Sequence, residues 1–305
     1  MNDTFEARVT ATYGRHLLVR DASGKELQAR PFGRALTVVC GDNVRCRADP
    51  HHDEVHVVEV LPRRSALYRS NLRGATEPVV ANLSRLLVVL APVPAPDLFV
   101  IDRYLAAAES AGIAGLLVLN KADLGVDEAL RAELDAYTAA GYRWLNCSVR
   151  KGEGIDSVQE VCAGGIAALV GQSGVGKSSL AGHLIPDAGV EVGSLVREEE
   201  GRHTTTASRM FNLPRGGHLI DSPGVRDFAP AVDRLDGRSL GFVEVERLAP
   251  RCRFSDCRHM KEPNCAVRDA SESGAGMSAR RYESYRRLRR LYEELSAARG
   301  PERRR

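Results

Sequence analysis

At 305 residues the chain is long for one domain and suits two or three. A hydrophobic content of 43% and a charged content of 27% are ordinary for a water-soluble globular protein, and no uninterrupted apolar stretch approaches the ~20 residues that a membrane-spanning helix needs. Seven cysteines, an odd number and mostly scattered, argue against a secreted disulfide scaffold, and Met1 to Glu6 lacks the basic and apolar regions of a signal peptide. A cytoplasmic protein without membrane contact is therefore expected.

From Glu6 to Arg63 apolar and polar residues alternate: Val9, Ala11 and Tyr13, then Leu17 and Val19, Leu27, later Val38 and Val44, and finally Val55, Val57 and Val60. Turn signals at 13–15, 22–25, 41–43 and 49–52 separate them, which predicts about five short strands. Residues 1–65 thus read as a small β-barrel. An OB-fold is the common version that binds nucleic acid, while an SH3-like barrel serving only as scaffold stays open. Arg63, Arg64, Arg69 and Arg73 follow, with Tyr68 among them and no acidic residue, and suggest a polyanion partner.

Residues 66–240 carry nucleotide motifs of α/β type. The apolar run Leu116 to Leu119 reads as a buried strand and is followed at once by Asn120-Lys121-Ala122-Asp123, the end of a strand being where open α/β sheets bind ligands. The Asp123 carboxylate can accept two hydrogen bonds from guanine, whereas adenine offers no such donor pair, and a carboxylate buried against the wrong base would be left unpaired. Ser148, within Asn146-Cys147-Ser148-Val149, occupies the place of a second base loop.

The run Gly165 to Val170 then leads into Gly171-Gln172-Ser173-Gly174-Val175-Gly176-Lys177-Ser178, a G-x-x-x-x-G-K-S phosphate loop between strand and helix signals. Its glycines let backbone N–H groups turn inward, Lys177 reaches the β- and γ-phosphates, and the Ser178 hydroxyl suits Mg²⁺. Gly201 to Thr206 reads as a mobile switch loop, in which one threonine, Thr205 by preference, ligates Mg²⁺. Asp221-Ser222-Pro223-Gly224 follows and resembles the nucleotide motif whose Asp meets Mg²⁺ through water and whose Gly N–H meets the γ-phosphate, which implies these parts for Asp221 and Gly224. Val225 then stands where Ras-like enzymes carry the glutamine that orients the attacking water, so His203 becomes the candidate to replace it. The base motif precedes the phosphate loop, the reverse of the Ras order, which implies a circularly permuted P-loop GTPase domain.

Residues 241–305 hold Cys252, Cys257, His259 and Cys265 in a C-x4-C-x-H-x5-C pattern. Three thiolates and an imidazole make a closed set suited to one structural Zn²⁺. From Ser278 to Ala298, Tyr285, Leu288, Leu291 or Tyr292, and Leu295 share a helical face, with Arg280, Arg281, Arg286, Arg287, Arg289 and Arg290 expected to point outward.

Taken together, the barrel pattern, GQSGVGKSS, GRHTTT, DSPGVRDF and the zinc ligands closely resemble the ribosome small-subunit-dependent GTPase A family. The resemblance spans nearly the whole chain. It implies a multidomain protein with an N-terminal OB-fold, a permuted GTPase domain and a zinc-binding helical module. It further implies hydrolysis of GTP to GDP, binding to the small ribosomal subunit and its rRNA late in maturation, stimulation by that subunit, and release of an assembly factor. A monomer is expected. A GTP-controlled RNA-binding module with incidental hydrolysis is the alternative from another class.

Overall fold

In the computed structural model, which describes residues 4–33, 36–48, 54–70, 76–185, 207–226 and 229–299, the N-terminal alternation becomes five strands. They are β1 (Thr4–Tyr13), β2 (His16–Asp21), β3 (Glu26–Pro31), β4 (Asn43–Ala48) and β5 (Val55–Val60). Their order, β1-β2-β3-β5-β4, closes on itself because β4 also pairs with β1. β3 and β5 run parallel and the other pairs antiparallel, the five-stranded topology of an OB barrel. Strand side chains alternate between faces, so Val9, Val19, Val44 and Val57 all reach the interior and are fully buried. Val38, expected in a strand, lies in the irregular segment between β3 and β4. That segment needs Gly41 in the left-handed region, at φ 93°, because a Cβ there would stand 2.1 Å from the Ala81 carbonyl oxygen.

A hairpin follows, β6 (Ala66–Ser70) and β7 (Thr76–Ala81), and then an alternation of strands and helices. Its members are β8 (Arg85–Leu90), α1 (Leu98–Ser110), β9 (Ala114–Leu119), α2 (Glu128–Ala140), β10 (Arg143–Asn146), α3 (Ile155–Cys162), β11 (Ile166–Val170), α4 (Lys177–Leu184), β12 (Ser208–Asn212) and β13 (His218–Asp221). The sheet order is β10-β9-β8-β11-β13-β12, with β12 antiparallel and the rest parallel. Helices cover both faces, so β11 is buried at every position and its sequence, Ile-Ala-Ala-Leu-Val, is apolar throughout. Local signals set the helix ends: the Asp97 carboxylate accepts from the N–H groups of Phe99 and Val100, Asp127 from that of Leu130, and Gly141 stops α2 at φ 112°.

β1 joins the two sheets. Its residues 4–8 pair with β4, and Ala11 and Thr12 pair with Arg209 and Ser208 of β12, the change of partner falling at a bulge between Val9 and Ala11. Eleven strands therefore form one continuous sheet.

Beyond β13 come the short α5 (Pro223–Arg226), then α6 (Val243–Leu248), α7 (Ala266–Ser273) and α8 (Ala279–Arg299). Here the structure corrects the expectation of outward arginines. Arg281 is 1% exposed, donating to Glu244 at 2.5 and 2.6 Å and to Asp102 of α1 at 2.7 Å. Its guanidinium also lies 5.0–5.4 Å from the ring centres of Phe242, Tyr137 and Tyr142. Arg280 binds Asp102 and Glu133, and the buried Arg289 donates to the carbonyls of Gly237 and Arg238. Burial compels this pairing, since an unpartnered guanidinium inside a protein is strongly unfavourable. Arg287 and Arg290 do stay exposed. Tyr285 and Leu288 are buried as the helical stripe requires, whereas Leu295 is exposed.

Arg63 is likewise turned inward, holding both carboxylate oxygens of the fully buried Asp42 at 2.7 and 2.8 Å. Arg69 pairs with Glu77, and Arg64 alone of the described arginines in this cluster is exposed. Arg73 lies outside the described residues.

Candidate nucleotide site and metal centre

Four loops leave the same edge of the parallel sheet: residues 120–123 after β9, 147–149 after β10, 171–176 after β11, and 222–224 after β13. A parallel sheet places all its strand ends of one kind together, so motifs scattered over about a hundred residues become neighbours. With β8 between them, β9 and β10 put the base-type loops on one side and β11 and β13 the phosphate-type loops on the other.

The phosphate loop has a backbone that only glycine tolerates. Gly171, Gly174 and Gly176 have φ of 144°, 81° and 93°. A Cβ on Gly171 would lie 2.1 Å from the Val89 carbonyl oxygen and one on Gly176 2.3 Å from Asn120 Nδ2. The buried Lys177 opens α4, and its Nζ donates to the carbonyls of Gly171 and Gln172 at 2.7 and 2.9 Å. Val175 is fully buried, while Ser173 and Ser178 are exposed on the loop and the first turn of α4. Gln172 turns its side chain away: Nε2 donates to Ala95 O, and Oε1 accepts from Asp97 N–H. That amide staples the loop to residues 95–97 and leaves only its backbone for a ligand.

Asn120 ties the loops together. Its Nδ2 donates to Val175 O at 2.9 Å, and its Oδ1 accepts from Val149 N–H at 3.2 Å. Lys121, held at φ 58°, spans from the base loop to Gly174 O and Val93 O, at 2.7 and 2.9 Å. Ser148 Oγ donates to Asp123 Oδ1 at 2.6 Å, and this hydrogen bond holds the Asp123 carboxyl below the usual carboxylate range. Asp123 is therefore ionised near neutral pH, an acceptor with one oxygen already oriented.

At the other end, Asp221 closes β13, and Ser222 is buried against Ser208 of β12 with a 2.7 Å hydroxyl contact. Gly224 lies in α5, and the side chain after it, Val225, is 1% exposed and packed in the core. Valine there cannot orient water, either by chemistry or by direction. His203 and Thr205 lie outside the described residues. Sequence reasoning missed two participants: the Val149 N–H, which sits beside Ser148 but makes the contact to Asn120, and the proline-rich segment 92–97, which anchors both Lys121 and Gln172.

The sulfur and nitrogen atoms of Cys252, Cys257, His259 and Cys265 lie within 4.8 Å of one another. His259 Nδ1 is 3.5 Å from Cys252 Sγ and 3.4 Å from Cys265 Sγ, and those two sulfurs are 4.0 Å apart. A tetrahedral zinc shell, with bonds of about 2.3 Å to sulfur and about 2.0 Å to nitrogen, sets neighbouring ligand atoms roughly 3.5–3.8 Å apart, so this set fits the ion. α8 holds the ligand loop from behind: Tyr282 and Tyr285 donate to the carbonyls of His259 and Arg258 at 2.8 and 3.0 Å.

A permuted strand order with all four nucleotide loops at one sheet edge defines a circularly permuted P-loop GTPase. Comparison with known proteins narrows this class. The RsgA GTPase family model matches residues 60–230. A small ribosomal subunit biogenesis GTPase of Azotobacter vinelandii is 46% identical over 256 residues, covering 82% of this chain and 74% of its own. Its counterpart in Pseudomonas aeruginosa is 42% identical over 286 residues, covering 92% and 84%. The crystal structure of YjeQ from Thermotoga maritima superposes with a TM-score of 0.73 at 26% identity, over 96% of this chain and 99% of that one. YloQ, described as a circularly permuted GTPase, shares the fold with a TM-score of 0.72 at 23% identity, over 98% and 97%. The chain belongs to the RsgA GTPase family and is a GTP hydrolase. Among the described residues no helix is long and apolar enough to cross a membrane.

Proposed function

We propose that this chain is a cytoplasmic, monomeric GTPase that binds the small ribosomal subunit and its rRNA late in maturation, is stimulated by it, and promotes release of an assembly factor. The relatives' names supply the small-subunit role, and the nucleotide loops supply the chemistry. The observation that carries the site is the Asp123–Ser148 pair facing the same sheet edge as the glycine-strained phosphate loop. In this reading Asp123 accepts from guanine, Asn120 and Lys121 brace its pocket, and the amides of residues 171–176 surround the phosphates. Lys177 leaves its two loop carbonyls for the β- and γ-phosphate oxygens, where a positioned cation stabilises the charge that develops on transfer. Ser178, Thr205 and Asp221 would hold Mg²⁺, which when bound would neutralise phosphate charge. The Gly224 N–H meets the γ-phosphate, and His203 orients the attacking water. Cys252, Cys257, His259 and Cys265 hold one structural Zn²⁺.

With Val225 buried, orienting the water falls to His203, so turnover alone is slow until the subunit completes the site. The test is GTPase rate against the concentration of purified small subunits. A rise of roughly 10²- to 10⁴-fold is expected, the range for a newly positioned proton-transfer group. Equal rates with and without subunits would favour a binding module whose hydrolysis is incidental.

A further inference from the structure

The β6–β7 hairpin stands behind the turn that follows β13. Arg69 and Glu77 face each other across it in register, and Arg69 Nε and Nη2 both approach one Glu77 oxygen, at 2.8 and 2.7 Å. The other arm is directed elsewhere. Arg69 Nη1 lies 3.5 Å from the point where a Cβ on Gly224 would stand, with Val79 Cγ1 3.4 Å from the same point. The hairpin is fixed to the chain just beyond the turn as well: Arg69 bridges to Pro230, Ala231 N–H donates to Tyr68 O at 2.8 Å, and Thr76 Oγ1 contacts Asp233 at 3.0 Å. A guanidinium is thereby held against the Asp221–Gly224 turn from two directions.

Gly224 is not required by its own surroundings. Its φ is outside the left-handed region, and the contacts a Cβ would make are of ordinary van der Waals length. A close backbone approach by a ligand remains the physical reason for glycine there. A triphosphate presents more negative charge at this turn than a diphosphate, and Val225, the next residue, contributes no polar group. Glu77 sits on the Nε and Nη2 side, so the ion pair turns its positive end, Nη1, towards the turn, and that end favours the more highly charged nucleotide and the charge that develops during transfer.

We propose that Arg69, braced by Glu77, is a positioning residue for the γ-phosphate: it holds the Asp221–Gly224 turn and gives it the positive charge by which GTP is distinguished from GDP. This rests on the nucleotide-site reading above. The test uses the full-length chain and the variants Arg69→Met, which keeps length without charge, Arg69→Lys, which keeps charge, and Glu77→Gln. Turnover is measured with GTP, affinity with fluorescent GDP and a non-hydrolysable GTP analogue, and integrity by Tm. Arg69→Met should lower kcat and weaken the analogue about tenfold or more, leaving GDP affinity within about twofold and Tm unchanged, since only the γ-phosphate end is touched. Arg69→Lys should recover most of both losses, and Glu77→Gln should fall between. Equal weakening of GDP and analogue, or an unchanged kcat in Arg69→Met, would overturn the assignment of Arg69 alone. Failure of the wild-type protein to bind GDP would overturn the nucleotide-site reading and this proposal with it.

Discussion

Ser148 faces Asp123 rather than the open side of its loop, and this small fact sets the chemistry of the base pocket. The 2.6 Å hydrogen bond fixes one carboxylate oxygen and depresses the pKa, so the group proposed to read guanine is both charged and aimed. Replacing Asp123 with Asn removes an acceptor and introduces a donor at the point where guanine presents its amine. Asp123→Asn should therefore lose GTP affinity by roughly 10²-fold and gain in relative preference for xanthosine triphosphate, as expected when a buried polar partner is mismatched. Competition between the two nucleotides measures this, and an unchanged preference for GTP would remove Asp123 from the pocket.

Among the elements, α8 is defined by where its charges go. Arg281 lies between Asp102 of α1 and Glu244 of α6, so one side chain joins the C-terminal helix to the GTPase core. Arg281→Met would leave the buried Glu244 without its cation and Asp102 with Arg280 alone, and a loss of about 3–5 kcal/mol is expected by chemical denaturation, the usual cost of breaking a buried pair from one side. Arg290→Met, on the exposed face, should stay within about 0.5 kcal/mol of wild type. Similar losses for both would mean that the buried cluster contributes little. The loop carrying the proposed zinc ligands rests on the same helix through Tyr282 and Tyr285, and ligand loss should be felt there first. Cys257→Ser should reduce bound zinc from one equivalent towards none and raise hydrogen exchange across 252–273, while nucleotide binding persists. Wild-type protein purified without chelators and free of zinc would sink the metal assignment.

For the whole molecule, the shared strand β1 matters most. β12 pairs with the barrel through β1 and with β13 through its other edge, and Ser208 of β12 touches Ser222 beside Asp221. Barrel and nucleotide site thus belong to one hydrogen-bonded sheet. The basic surface proposed to meet rRNA is narrower than the arginine count suggests, because Arg63, Arg281 and Arg289 are occupied inside the protein. Charge reversal at the exposed Arg64, Arg287 and Arg290 should weaken subunit-stimulated turnover and flatten its dependence on salt, leaving the rate without subunits unchanged. Each phosphate that the protein no longer neutralises takes about one unit from the counterion-release slope. A triple variant with the wild-type salt slope would place the rRNA-binding surface elsewhere.

Whatever depends on consecutive residues was legible in the chain. Strand alternation announced the barrel, glycine spacing announced the phosphate loop, and four closely spaced soft ligands announced the metal set, because each is a local backbone or coordination requirement. The rotated motif order was equally visible, since order is a property of the chain. The partners of the charges were settled by packing. Arg281 finds Glu244 37 positions away and Asp102 179 away, and no local pattern distinguishes it from the exposed Arg290. The same holds for Arg63 on Asp42, for Ser148 on Asp123, and for Arg69 against Gly224. A side chain's spacing says which face of an element it occupies, but electrostatics and burial act between elements. Only the packed sheet, with its strands out of chain order, brings those elements together.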